Sequence, residues 1–118
     1  IASLPLPTTI DVVADGFTYN DSFYASWWIN GSHTLTWDAP NNRFYWTNGS
    51  GYSIAVYRDY NTVMSFSKWE LYFQQPMYPA GSRFFTYESD TPIFNFPLGS
   101  YTKTNYPVSS VPTNVYVT

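Results

Sequence analysis

The chain has no cysteine, which excludes disulfides, thiolate nucleophiles and cysteine-based zinc sites together. Charge is scarce as well. Only 11% of the 118 residues are charged, against roughly 25% in ordinary soluble domains. The five cations are scattered and the net charge is -3, so nucleic acid is a poor partner, because phosphate affinity comes from clustered Lys and Arg. No uncharged apolar run approaches the roughly 20 residues of a membrane-spanning helix. The sequence opens at Ile1 with no Met and no basic-plus-apolar leader, as expected of a processed or trimmed chain. There is no heptad and no sustained 3.6-residue stripe, so helices have no pattern to build on.

What the chain has instead is aromatic side chains, 22% of residues, set among Val and Thr in short alternating blocks that read as strands. Strands are expected near 8–14, 17–20, 22–29, 33–38, 43–47, 52–58, 62–74, 83–87, 92–96 and 113–117. Turn clusters such as "DAPNN", "NGSG" and "PLGS" separate them. The stretch from Phe73 to Thr104, rich in Pro and Gly, is expected to form long surface loops. This spacing predicts an all-β domain, a single antiparallel β-sandwich of immunoglobulin-like or jelly-roll-like kind over residues 16–118.

Residues 1–15 form a distinct unit. Ala2, Leu4, Leu6, Thr8, Ile10, Val12 and Ala14 fall on one face of an extended chain, a period-two stripe of about 40 Å at roughly 3.3 Å per residue. Pro5 and Pro7 remove N–H groups from one edge, which discourages pairing on both sides. An apolar alternating arm ahead of a compact β-domain resembles the donor strand of pilus-like extracellular fibres, in which each subunit completes the sheet of its neighbour. That resemblance implies a homopolymer, with Leu4, Leu6, Ile10 and Val12 inserting into a neighbour. The alternative is that the arm is the domain's own first strand.

Strand alternation also sorts the tryptophan-rich stretch from Trp27 to Gly51. It predicts Trp27, Phe44 and Trp46 inward, and leaves Trp28, Tyr45 and Tyr57 outward as a flat aromatic platform on which a sugar can stack. Asn20, Asn30 and Asn48 each open an Asn-x-Ser acceptor triplet at a turn. About two such triplets would arise from composition alone, so their turn placement carries the weight. Asn-Gly and Asn-Asp are also good turn formers in their own right. Occupied acceptors imply covalent glycans and a secreted or cell-surface protein.

Catalytic patterns are weak. His33, the single histidine, lies five residues from Asp38, which puts the two on opposite faces of one strand. Glu88 and Asp90 are the closest acidic pair, read as a turn-capping cluster rather than a glycosidase dyad. No calcium loop or phosphate-cradling glycine loop occurs, so no catalytic residue, metal or cofactor is expected. The strand-turn-strand from Thr34 to Phe66 resembles the rhythm of ependymin-related lipid-binding proteins, with Asp38, Asn42, Arg43 and Tyr60 in the matching positions, and it implies lipid binding. The leading expectation is a glycosylated structural subunit of an extracellular fibre or coat. The alternatives are a secreted glycan-binding β-module and a lipid binder.

Overall fold

A computed structural model describes residues 6–20, 25–59, 68–76, 82–90, 96–104 and 110–118. Eight strands follow one another: β1 (Thr9–Ala14), β2 (Gly31–Asp38), β3 (Arg43–Thr47), β4 (Ser53–Asp59), β5 (Lys68–Pro76), β6 (Ser82–Ser89), β7 (Gly99–Lys103) and β8 (Asn114–Val117). Each pairs antiparallel with the next, and β8 returns to β1 through Val12↔Val117 and Val13↔Tyr116. Reciprocal backbone bonds between Asp11 and Thr118, at 2.9 and 2.8 Å, extend the seam. The sheet is therefore a closed up-and-down barrel, not the expected sandwich. Alternation looks the same in both architectures, since it records only that each strand has an inner face. What separates them is whether the first and last strands pair, a contact between opposite ends of the chain.

The inner face is continuous around the ring. Paired inward positions run Val12, His33, then Leu35 opposite Ile10, Trp37 opposite Phe44, Val56, Leu71 and Tyr87, and close through Ser89, Tyr101, Val115 and Val117. An eight-stranded barrel encloses a space that side chains can just fill. Leu35, Phe44, Ile54, Trp69, Leu71, Phe73, Phe85, Tyr87 and Tyr101 are all fully buried. Buried hydroxyls find backbone acceptors: Tyr87 donates to Pro112 O at 2.7 Å, and Tyr101 donates to Pro97 O. Ser89 Oγ accepts Trp69 N–H at 2.9 Å.

One end of the barrel, where β1 finishes and β2 begins, is plugged by side chains from connecting segments. Phe17 is buried there, with its ring centroid 5.4 Å from Phe73, 6.0 Å from Phe85 and 6.2 Å from Tyr87. Ile29 and Val111 are buried in the same core. Asn30 clamps the plug: its Oδ1 accepts Phe17 N–H and its Nδ2 donates to Phe17 O, both at 2.9 Å.

Several local expectations change. The strand expected at 22–29 is, over Trp27–Ile29, a 3-10 turn. Ser26 directs both its backbone N–H and its hydroxyl to Tyr19 O, at 2.8 and 2.9 Å, and this bends the chain out of extended geometry. Over 17–20 only an isolated bridge, Asn20↔Ala25, forms. Where it is described, the stretch from Phe73 to Thr104, expected as long loops, carries the end of β5 and all of β6 and β7, and residues 77–81 and 91–95 within it lie outside the described residues. Residues 1–5 (with Leu4), 21–24, 60–67 (with Tyr60) and 91–95 lie outside the described residues, and so does most of the strand expected at 92–96.

The barrel also crosses the expected boundary after residue 15. β1 sits between β2 and β8, Ile10 and Val12 are buried in this chain's own core, and Leu6 packs against that core. In a single chain the β1 part of the apolar stripe, Ile10, Val12 and Ala14, is satisfied internally, so assembly through it would take an exchange of β1 between copies. Among the described residues, no helix is long and apolar enough to cross a membrane.

Candidate functional site

The plugged end carries a pocket of about 450 Å³ lined by Ala25, Trp27, Trp28, His33, Trp46, Asn48 and Tyr52. Four segments meet there: the 3-10 turn supplies both adjacent tryptophans, β2 and β3 supply His33 and Trp46, and the β3–β4 turn supplies Asn48 and Tyr52. Ile29, fully buried, anchors the turn from below. Turning residues 27–29 out of a strand lets Trp28 face the barrel mouth while Trp27 projects.

Trp28 and Trp46 lie nearly parallel, 16° apart with centroids at 6.0 Å. Tyr52 meets Trp28 edge-on at 5.2 Å, and His33 meets Trp46 edge-on at 4.8 Å. Trp28 Nε1–H donates to Oε1 of the fully buried Gln75, which fixes the indole in its plane. Trp27 is 68% exposed, the most open large hydrophobic side chain among the described residues. Burial lowers the His33 pKa below its ordinary 6.5, which keeps the imidazole neutral at neutral pH. Every described lining side chain is thus uncharged.

The aromatic platform expected from alternation does not assemble. Trp28 belongs to the pocket, whereas Tyr45 and Tyr57 lie on the outer face of β3 and β4. The Arg43 guanidinium covers the Tyr45 ring at 3.8 Å. Tyr57 donates to Glu70 at 2.6 Å and meets Tyr72 edge-on at 5.3 Å. Tyr45 is thus covered by a same-face neighbour two residues earlier on β3, and Tyr57 by Glu70 and Tyr72 across the β4–β5 pair. Trp27, assigned inward by alternation, is the open one, whereas Trp46 keeps its inward face, packing against the core while its ring lines the pocket. The missed signal was Ser26 ahead of the tryptophan pair, a residue able to divert the backbone by local hydrogen bonding.

The three glycan-acceptor positions differ. Nδ2 of Asn30, the atom a glycan would take, donates to Phe17 O, so a glycan there would compete with the clamp. Asn48 turns its Oδ1 to Ser50 N–H at 2.8 Å and Tyr52 N–H at 3.4 Å, which leaves its Nδ2 without a protein partner on the pocket rim. Asn20 is exposed.

The remaining candidates are separate. Asp38, on β2, accepts from Asn41 at 2.8 Å and from Arg43 at 3.1 Å. Those two hydrogen bonds, Asn41 first, hold its pKa below the ordinary value. It is not brought to His33. Arg43 and Asn42, from the ependymin-like pattern, border a second pocket of about 300 Å³ with Asn41, Tyr57, Arg58 and Tyr72. Glu88 pairs with Lys68 at 2.8 Å and Asp90 accepts from Thr102, so the two carboxylates are engaged apart. Among the described residues, no group of three or more metal-ligating side chains occurs. No protein-family model, curated protein or solved structure matches this chain.

Proposed function

We propose that the protein is a carbohydrate-binding β-barrel module that holds a neutral sugar ring in the tryptophan pocket. The observation that carries this reading is Trp27, a large apolar side chain left open beside two parallel indoles at the mouth of a pocket without charge. Flat aromatic faces pack on the C–H faces of a pyranose, and the polar edges of His33, Asn48 and Tyr52 meet its oxygens. The pocket volume falls within the roughly 300–1,000 Å³ usual for small-ligand sites. A cation is disfavoured because no described lining residue is a carboxylate. A lipid chain is disfavoured because side chains fill the barrel interior where it would lie.

A secreted or cell-surface setting belongs to the same proposal, with the triplet opened by the exposed Asn20 as its support, since Asn30 Nδ2 is given to Phe17 O and Asn48 Nδ2 is kept for the pocket. Polymerisation by the N-terminal strand requires β1 to leave both of its neighbours, whereas sugar binding requires no rearrangement, and for that reason binding is preferred.

Tryptophan fluorescence titrated with a panel of neutral mono- and disaccharides tests the reading. Saturable quenching or a blue shift is expected, and Trp27→Ala should weaken binding by about tenfold, roughly the 1.4 kcal/mol of one lost stacking contact, with the far-UV spectrum unchanged. Silence across the panel, or equal binding by Trp27→Ala, sinks it.

A further inference from the structure

The hydrogen-bonding groups around the pocket are unevenly divided between donors and acceptors. Asn48 Oδ1 is engaged by two backbone N–H groups of its own turn. Backbone N–H can only donate, so this oxygen assignment is fixed and the free Asn48 atom is the donor Nδ2. Trp28 N–H is already given to Gln75. Trp27 Nε1–H, on an open side chain, is a further donor without a protein partner. His33 Nδ1 is shut off from solvent and has no protein partner. A buried donor left unpaired is rarer and costlier than a buried acceptor, so the proton of the neutral ring belongs on Nε2. That nitrogen then meets the pocket as a third donor. The Tyr52 hydroxyl, which both donates and accepts, is the one acceptor among these lining side chains.

We infer that the pocket selects a sugar bearing an acceptor group beside its apolar face, a 2-acetamido sugar in preference to a plain hexose. The inference rests on the carbohydrate reading above. An acetamido carbonyl accepts from Asn48 Nδ2 and His33 Nε2–H, its methyl packs against Ala25 and the indoles, and its N–H goes to the Tyr52 hydroxyl. A hexose hydroxyl at the same place brings a proton for which the pocket has little to offer. A 2-amino sugar brings a positive charge and further donors into a site where no described residue is a carboxylate.

Isothermal titration calorimetry of the full chain with N-acetylglucosamine, glucose and glucosamine is the test. N-acetylglucosamine should bind about tenfold more tightly than glucose, the scale of one satisfied polar contact, and glucosamine most weakly. Asn48→Asp keeps the acceptor that holds the turn and exchanges the free donor for a carboxylate oxygen, so it should reverse the order of N-acetylglucosamine and glucosamine. His33→Phe keeps a ring against Trp46 and removes the donor, so it should weaken N-acetylglucosamine more than glucose and thereby reduce the N-acetyl preference. Glucose binding as tightly as N-acetylglucosamine, still sensitive to Trp27→Ala, overturns this inference and leaves the carbohydrate reading standing. Absence of binding by all three sugars and by the wider panel overturns both.

Discussion

The Asn30 side chain, which mimics a backbone strand toward Phe17, offers the sharpest test of how the pocket is held. Asn30→Ala removes two hydrogen bonds of 2.9 Å in a partly buried place. At about 1 kcal/mol for each bond, and more if the Phe17 groups stay dry, the loss should be about 1–3 kcal/mol. Phe17→Ala empties the plug against Phe73, Phe85 and Tyr87, and large aromatic truncations in cores cost about 3–5 kcal/mol. The two losses should not add. Without its ring, the Phe17 segment has little reason to remain in place, so the clamp then holds nothing of value. A double-mutant cycle by urea denaturation should therefore return a coupling of at least about 0.5 kcal/mol. Each kcal/mol should move the melting temperature by roughly 4 °C in a chain of this size. Asn30→Asp keeps the acceptor for Phe17 N–H and should lose less than Asn30→Ala. Additivity within about 0.3 kcal/mol would refute the clamp, because it would mean that ring and amide stabilise the barrel independently.

Two further predictions concern the barrel itself. Burial pushes the Tyr87 and Tyr101 hydroxyls well above the ordinary pKa of 10.0. These groups contribute stability that is fully present below about pH 10 and is lost as pH rises toward their raised values. Ultraviolet titration should show at least two tyrosines, Tyr87 and Tyr101, that ionise only with cooperative alkaline unfolding, and smooth ionisation of all twelve before unfolding would contradict the buried placement. Val12→Asp sets a carboxylate at a position of 0% exposure on β1, and an unpaired charge there is too costly to keep. Loss of cooperative folding by circular dichroism is expected. A folded monomer that merely stops assembling would instead support β1 as an arm donated to a neighbour.

Strands were legible in the sequence where alternation was strict and both neighbours were close in the chain. β3 was expected at 43–47 and lies at Arg43–Thr47, and β2 and β4 differ from expectation by one or two residues at their ends. β7 was hidden. Its five residues begin at Gly99, whose φ of 123° belongs to a turn, and Pro97 stands just before it. What holds β7 is pairing with β6 and β8, through Ser89↔Tyr101 and Tyr101↔Val115, and local pattern does not record such contacts. Ring closure was hidden for the same reason, since the Val12↔Val117 pairing spans nearly the whole chain.

The site was legible in composition but not in geometry. A cluster of tryptophans beside turn residues pointed to this stretch, and alternation placed Phe44 and Trp46 on the inner face as found but divided Trp27 and Trp28 wrongly, because it presumes an extended backbone. Ser26, Trp27 and Trp28 are where that presumption fails. The bend reverses the two indoles, so that the one assigned to the core is open and the one assigned outward lines the pocket. A tryptophan pair on a continuous strand would have split between the two faces of the sheet. On a turn tethered to Tyr19 and clamped through Asn30, both rings reach the same pocket. The backbone contacts that break the strand are thus the ones that build the site, and a reading by period alone had to lose both together.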